Sequence, residues 1–323
     1  MTNNDLLKAK EAWVRLRTEV DLLGKDSKDP QVLQLKKETL RDPMVSQLIT
    51  ELQGWPGNVL KSHKSAGQLY HKLAFLAEIG LDKDDEGIAF VLDQVMSHRS
   101  DEGLFTLPTD IPVHFGGTGE MMWSWALCDA PILVYVLAKM GHQDHPDVLK
   151  AKDVLLGMIE KQGWPCRVSP IMKWRGPGKI SDPCPYVNLI MLKLLAVYQD
   201  ELDLPQTRKG CETLLHLWED SLNQHPYMFY MGTDFRKLKV PFIWYDLLHV
   251  TDVLSNYPFV RQDPRFLQMV ELIHSYADEN GQYTPQSEWM AWKSYDFASK
   301  KHVSSWMTFL VKRIDDRIAQ GSS

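Results

Sequence analysis

The sequence predicts an all-α fold in which helical hairpins close into one ring, an α/α toroid or (α/α)6-like barrel. Two observations predict this class. Apolar segments recur at an interval of roughly 58 residues, and amphipathic segments lie between them. No alternation of apolar and polar residues runs long enough to found a sheet, so strands contribute little to the expected fold.

The repeat is visible in leucines that occupy equivalent places in five apolar segments. Successive leucines are 61, 58, 59 and 56 residues apart: Leu76, Leu137, Leu195, Leu254 and Leu310. Each segment is apolar on nearly every side of a helix, which indicates a helix buried all round. These segments are the expected inner helices of the ring.

Segments with one apolar stripe and one polar face, such as 88–96 and 148–159, are the expected outer helices. Two more helices are expected before the first clear repeat, at about 5–23 and 31–52. A glycine followed closely by an aromatic residue recurs after several outer helices, and there we expect the glycine to cap the helix. These glycines are Gly54, Gly103, Gly163 and Gly281.

The chain is expected to form one domain over residues 1–323. Residues 1–52 supply the first helical pair, residues 53–315 the hairpin repeats and residues 316–323 a short tail. An open solenoid of hairpins is the competing architecture. Closure is favoured because the last inner helix has no following partner and can complete a ring begun by the first.

Composition and charge narrow the expected partners and compartment. The net charge is −6, acidic and basic residues are well mixed, and no basic stripe appears, so nucleic acid is not an expected partner. The N-terminus lacks the features of a signal peptide, and the apolar runs are shorter than a membrane helix requires. Four scattered cysteines are too few for a disulfide scaffold. A reduced, cytoplasmic protein without a membrane span is therefore expected.

The hairpin repeat with its glycine–aromatic turns resembles the toroid shared by squalene cyclases and the β subunits of protein prenyltransferases. A sharper similarity to the prenyltransferases lies in the sequence Lys-Ile-Ser-Asp-Pro-Cys, which ends at Cys184, and in Asp-Leu-Leu-His, which ends at His249. In that family the Asp and Cys of the first motif and the His of the second bind zinc. The resemblance therefore implies a zinc site formed by Asp182, Cys184 and His249.

The same resemblance implies residues that would face an isoprenoid diphosphate. Lys179 and Arg175 are the expected diphosphate contacts, and His114 belongs to a loose counterpart of a diphosphate-facing His-Gly-Gly loop. Aromatic residues near the starts of inner helices are expected to line the cavity, where they suit an isoprenoid chain or a cation. These aromatic residues are Tyr186, Trp244, Tyr245, Trp123, Trp125, Trp289 and Trp292. Asp246 is a further expected ligand contact.

The chemistry of the expected site follows from zinc itself. A catalytic zinc keeps three protein ligands and one open position, and it activates an incoming thiol or water. Cys184 is expected in the first turn of a helix, where the helix dipole favours a thiolate. A purely structural interpretation stays open, with Asp182 as a helix N-cap, Cys184 as a small buried residue and His249 as a core histidine.

The function expected from these features is transfer or binding of an isoprenoid group in an aromatic-lined cavity. A non-catalytic toroid that binds a peptide, a lipid or a protein partner is the main alternative. A glycosidase-like (α/α)6 enzyme is the third, because Asp129, Asp182 and Asp246 recur near inner-helix starts. Cys166 is similar in its local sequence to the Trp-Cys of lanthionine cyclases, which are zinc toroids. The acidic run 82–85 matches the acid motif of class II terpene cyclases but is better explained as a solvated connection.

Overall fold

The protein is described by a computed structural model in which residues 2–174, 182–219, 221 and 230–320 are defined. Within these residues the chain is mostly helical and its one sheet has two short antiparallel strands, which confirms the predicted helical class. The helices are α1 Asn3–Leu6, α2 Ala12–Arg17, α3 Pro30–Arg41, α4 Pro43–Leu52, α5 Leu69–Glu78, α6 Ile88–Ser97, α7 Ala130–Leu137, α8 Pro146–Leu156, α9 Pro185–Leu195, α10 Pro205–Glu219, α11 Leu247–Leu254, α12 Pro264–His274 and α13 Ser305–Gln320. The strands are β1 Leu107–Thr109 and β2 Met122–Ser124.

The five leucines of the repeat lie in five different helices, α5, α7, α9, α11 and α13. All five side chains are fully buried. Helix α7 shows why: every one of its eight residues is buried, which agrees with the segment being apolar on all sides. The amphipathic segments are α6 and α8, each with a buried stripe and an exposed face.

The two helices expected at the start of the chain are more broken than predicted. The first becomes α1 and α2, and α2 continues into a π-helical turn over Thr18–Leu22. The second is divided at Asp42, whose carboxylate accepts a hydrogen bond from the backbone N–H of Met44. The break follows from Pro43, because a proline disfavours helical geometry in the residue before it.

The prediction that the repeated glycines cap the outer helices is wrong for three of them. Helices α6, α8 and α12 end at Ser97, Leu156 and His274, well before Gly103, Gly163 and Gly281. Gly163 instead occupies a turn with a φ of 103°, where a Cβ atom would lie 2.5 Å from Oδ1 of Asn188. Glycine is therefore required there by a close approach to helix α9 and by the left-handed backbone.

The described chain separates into two compact units. The first unit contains residues 1–50, 75–81 and 233–323, and in it α11 packs against both α12 and α13 while α2 packs on α3. The second unit contains residues 51–74 and 82–232, and in it α7 packs on α8 and α9 while α9 packs on α10. None of the described helices combines the length and apolar character that crossing a bilayer demands.

Candidate functional site

The three predicted zinc ligands fall in both units. Asp182 and Cys184 belong to the second unit and His249 to the first. Among the described residues no group of three or more His, Cys, Asp and Glu side chains is arranged to hold a metal ion. The expected diphosphate contacts Lys179 and Arg175 lie outside the described residues. The zinc site therefore stays a prediction.

His249 and Asp246 are joined at the start of α11. Asp246 is the N-cap of the helix, and its Oδ1 accepts the backbone N–H of His249 at 3.1 Å. The His249 ring stacks on Phe242, and its Nδ1 lies 2.8 Å from the carbonyl oxygen of Trp244. Burial raises the pKa of Asp246 to about 7. Its second oxygen, Oδ2, is buried without a hydrogen-bond partner among the described residues.

The other predicted ligand contacts have different surroundings. Tyr245 is buried beside Phe235, while Trp244 is half-buried and tilted against Tyr245. Tyr186 is fully buried in the first turn of α9. His114 is exposed in a 3₁₀ turn at Val113–Phe115. Tyr186 is the member of this set that lies near a cluster of reactive groups.

That cluster is formed by three cysteines on three chain segments of the second unit, and we call Cys128, Cys166 and Cys184 the thiol cluster. The segment that carries Cys166 lies between the other two. On one side Ala126 forms an antiparallel bridge with Val168, and the N–H of Leu127 donates to the carbonyl of Arg167 at 2.9 Å. These contacts bring Cys128 to Cys166.

The other side of the Cys166 segment pairs with the start of α9. Pro165 bridges Pro183, and the N–H of Cys184 donates to the carbonyl of Trp164 at 2.9 Å. Asn188 stabilises the same contact through its side-chain amide. Its Oδ1 accepts a hydrogen bond from the Trp164 N–H at 3.1 Å, and its Nδ2 donates to the carbonyls of Trp164 and Cys184, both at 2.9 Å. The turn that holds Cys166 is thus fixed by a buried side chain of α9.

The pKa values of the three cysteines are displaced in opposite directions. Hydrogen bonds from Cys128 and Cys184 lower the pKa of Cys166 well below its ordinary value. The bond to Cys166 raises the pKa of Cys128, and burial raises that of Cys184. These directions favour the negative charge on Cys166 and the protonated form of Cys128 and Cys184.

Cys184 differs in two respects from the sequence prediction. It is the N-cap that precedes α9 and not a residue of the first helical turn. Its pKa is raised by burial, whereas the prediction was a thiolate favoured by the helix dipole. Burial outweighs the dipole because Cys184 is only 1% exposed, and desolvation penalises the charged form.

A histidine and a carboxylate complete the surroundings of Cys166. Nε2 of His63 lies 2.8 Å from Oδ2 of Asp129, which is fully buried. The carbonyl of His63 accepts hydrogen bonds from the hydroxyl of Tyr70 at 3.3 Å and from Nε2 of His71 at 2.9 Å. The charge of His63 also contributes to the lowered pKa of Cys166. Asp129 thus orients an imidazole that favours the thiolate.

Two buried tyrosines lie close enough to this site for its charges to affect their pKa values. Burial raises the pKa of Tyr70 and of Tyr186, and the negative charge of Asp129 raises both further. Both hydroxyls therefore stay protonated at neutral pH and can act only as neutral hydrogen-bonding groups. Tyr186 was predicted as a ligand contact, and the structure places it beside the thiol cluster.

Sequence reasoning identified Cys184 and treated Cys166 under a separate motif, but it missed Cys128 and His63. One signal was present in the repeat. Cys128 and Cys184 are 56 residues apart, close to the repeat length, and each directly precedes an inner helix or its N-cap. Equivalent repeat positions on adjacent inner helices are expected to be neighbours, which would have paired these two cysteines.

Comparison with known proteins gives no family for the chain. No protein-family model matches it, and no curated protein matches it. The function must therefore be argued from the site alone.

Proposed function

We propose that the protein is an enzyme whose nucleophile is the Cys166 thiolate, which forms a covalent bond to an electrophilic atom of a small substrate. The observation that carries this proposal is the position of Cys166, which is half-buried on a segment that backbone hydrogen bonds join to the segments of both Cys128 and Cys184. A thiolate is the reactive form of cysteine, and reactive cysteines lie in partly exposed sites that favour the negative charge.

The exposure of the three thiols supports the assignment of the nucleophile. Cys128 and Cys184 are 7% and 1% exposed, whereas Cys166 is half-buried and thus the member that a reagent can reach. A cysteine that served only packing would have its pKa raised by burial, as happens at Cys211 in α10. Cys166 differs from such a cysteine because its pKa is lowered and its side chain is only half-buried.

His63 and Asp129 supply the remaining parts of a nucleophilic site. A nucleophile is activated by a neighbouring base or cation, and that group is in turn oriented by a third residue. The contact between Asp129 and His63 meets the second condition, and the influence of His63 on the charge of Cys166 meets the first. His63 is accordingly a positioning residue that stabilises the thiolate.

The isoprenoid chemistry predicted from the sequence is compatible with this site. An allylic diphosphate is electrophilic at carbon, so a thiolate that displaces the diphosphate would become alkylated. Membership in the toroidal cyclase and prenyltransferase superfamily, and closure of the helices into a ring, are further parts of the proposal and rest on the repeat and its motifs. Four free cysteines suit a reducing compartment, which supports the proposed cytoplasmic location.

The proposal is tested by measuring which thiol reacts with iodoacetamide, and how fast, in the native protein. Peptide mass spectrometry gives the rate at each cysteine. Cys166 is expected to react at least about ten-fold faster than Cys211, which is the internal control because burial raises its pKa. The fast phase should be absent from Cys166→Ser and present in Cys211→Ser. Equal rates at Cys166 and Cys211 would overturn the proposal.

The zinc-dependent alternative from the sequence has its own measurement. The protein, purified without a metal-affinity tag, is analysed for zinc together with Cys184→Ala and His249→Ala. Stoichiometric zinc that is lost in both variants would establish the Asp182, Cys184 and His249 site. Zinc lost in Cys128→Ala but retained in His249→Ala would instead assign the metal to the thiol cluster.

A further inference from the structure

A polar pocket in the second unit lies between the segment that follows α6 and the first turns of α8. Its volume is about 440 Å³, within the range of about 300–1,000 Å³ that is typical of small-molecule sites. Besides one glycine, the lining consists of two cations, two carboxylates and two hydroxyls: Arg99, Lys150, Asp101, Asp147, Ser97 and Ser100. No apolar side chain belongs to this lining among the described residues, so a matching ligand must be polar.

Backbone hydrogen bonds hold the wall of the pocket that contains Arg99. Arg99 is bridged to Phe105 in an antiparallel pair, and the N–H of Ser100 donates to the carbonyl of Leu104 at 2.8 Å. Within the turn, the N–H of Gly103 donates to the carbonyl of Ser100 at 2.9 Å. This wall is therefore formed before any ligand arrives.

An ion pair joins this wall to helix α8. The Arg99 guanidinium is paired with the carboxylate of Asp147, which lies in the first turn of the helix. Nδ1 of His145 is 3.9 Å from the same carboxylate. Because Arg99 and Asp147 neutralise each other, the charges left for a ligand are those of the other two charged residues in the lining.

Lys150 supplies the available cation. A Cβ atom at Gly103 would lie 3.1 Å from Cε and 3.4 Å from Nζ of Lys150, so the lysine side chain passes directly over the glycine. Gly103 has a φ of 91°, and both this backbone and the close approach favour glycine. The Lys150 ammonium forms no hydrogen bond or ion pair with another described residue.

Asp101 supplies the available carboxylate. Its side chain likewise has no hydrogen bond or ion pair within the described part of the chain, and it lies two residues before Gly103. The adjacent Glu102 is outside the lining and accepts a hydrogen bond from Nε1 of Trp125 at 3.3 Å. The pocket therefore offers one positive and one negative group, and its two cations and two carboxylates cancel in net charge.

We infer that this pocket binds a free α-amino acid, with the ligand carboxylate beside Lys150 and the ligand ammonium beside Asp101. A simple anion would be repelled by the two carboxylates of the lining, and a simple cation by Arg99 and Lys150. A zwitterion instead places an opposite charge beside each of the two available groups. The site shares no residue with the Cys166 nucleophile, so the two proposals stand or fall separately.

The test measures binding of the standard L-amino acids to the whole chain by saturation-transfer difference NMR, followed by titration calorimetry of each amino acid that gives a signal. At least one amino acid is expected to bind with a Kd of about 1 mM or tighter. Propionate and propylamine each carry only one of the two charges. Both should bind at least about ten-fold more weakly, because one charged group of the pocket is left without a partner.

Two variants locate the bound amino acid. Lys150→Met removes the ammonium and keeps most of the side-chain length, and Asp101→Asn removes the negative charge. Each should weaken binding at least about ten-fold. Lys209→Met is the matched control, because Lys209 is exposed on α10 in the same unit and does not line the pocket. Binding to this control should equal that of the wild type.

Three results would overturn the inference. The first is the absence of binding by every standard amino acid at up to about 10 mM. The second is binding of propionate or propylamine as tight as that of the amino acid, which would mean a site for a single charge. The third is undiminished binding in Lys150→Met or Asp101→Asn, which would place the ligand elsewhere. Circular dichroism of each variant establishes that it is folded.

Discussion

The two units each contain a buried cluster of charged groups, and the clusters differ in what their charges can do. In the first unit the Arg313 guanidinium forms three hydrogen bonds to the Asp252 carboxylate, at 2.8, 2.9 and 3.1 Å, and lies 3.8 Å from Glu78. In the second unit the charge is on Cys166 and is balanced by thiols and by His63. The first cluster is built around the permanent charge of Arg313, and the second contains exchangeable thiol protons.

This difference indicates which cluster is structural and which is reactive. Burial lowers the pKa of Arg313, but the charges of Asp252, Glu78 and Asp21 outweigh it and raise the pKa overall. Arg313 therefore keeps its positive charge at every physiological pH. Cys166 is partly exposed and nucleophilic, so its charge can be converted into a covalent bond. The thiol cluster thus differs from the Arg313 cluster in two properties: Cys166 is partly exposed, and its proton is exchangeable.

The largest expected effect comes from breaking the Arg313 cluster with Asp252→Ala. The free energy of unfolding should fall by about 3–5 kcal/mol, because Arg313 is only 8% exposed and would lose its bidentate partner. Urea denaturation measures the loss. The matched control is Asp203→Ala, which removes an exposed partner of Arg208 and should cost less than about 1 kcal/mol. A loss below about 1 kcal/mol in Asp252→Ala would mean that the cluster is not structural.

An intermediate effect is expected from Asn188→Ala, which loosens the thiol cluster. Unfolding free energy should fall by about 2 kcal/mol, because the buried N–H of Trp164 loses its acceptor. Alkylation of Cys166 should also slow, since Asn188 fixes the turn that carries it. Asn256→Ala is the control, because Asn256 also donates to two backbone carbonyls but lies in the first unit. An unchanged alkylation rate in Asn188→Ala would show that Asn188 has no positioning role.

A pH-dependent effect is expected from Asp246, whose pKa burial raises to about 7. Between pH of about 4 and about 7 the folded protein keeps this proton while the unfolded chain has lost it. Stability should therefore decrease as pH rises through that window, by about 1 kcal/mol per pH unit from this group. Asp246→Asn should flatten the profile measured by urea denaturation. An identical slope in the wild type and the variant would contradict the raised pKa.

The smallest effect is expected from His63→Gln. The influence of His63 on Cys166 is weaker than that of the two thiols, so the midpoint of Cys166 alkylation should rise only slightly, and the rate should fall several-fold only below that midpoint. His114→Gln is the control, because His114 is exposed on a 3₁₀ turn. The loss in His63→Gln should diminish as pH rises, since Cys166 then ionises without help. A loss that is constant with pH would assign His63 a different role.

The helices were predictable because they follow from periodic patterns. Leu137, Leu195 and Leu254 each end a buried helix, at the spacing that the repeat predicted. The break at Asp42 was encoded by Pro43, but the pattern of apolar residues runs across it and concealed it. Gly163 lies in a turn shaped by contact with Asn188, and no local sequence signal specifies such a contact.

The candidate site was predictable only in part. Cys184 and Tyr186 were found through a motif, whereas Cys128 and His63 join the site through contacts between distant segments. His63 meets Asp129 across 66 residues of sequence, and the segments of Cys128 and Cys166 are joined by the isolated bridge between Ala126 and Val168. Neither contact has a helical or strand period. The pKa of Cys184 was also beyond prediction, because its sign depends on the depth of burial.

The pH dependence of Cys166 alkylation in the native protein is the decisive measurement. We expect a midpoint well below the value of about 8.5 for a free cysteine, and a higher midpoint in Cys128→Ala, because Cys128 is the leading cause of the lowered pKa of Cys166. A wild-type midpoint at or above about 8.5, unchanged in Cys128→Ala, would contradict the claim that the thiol cluster stabilises a reactive thiolate.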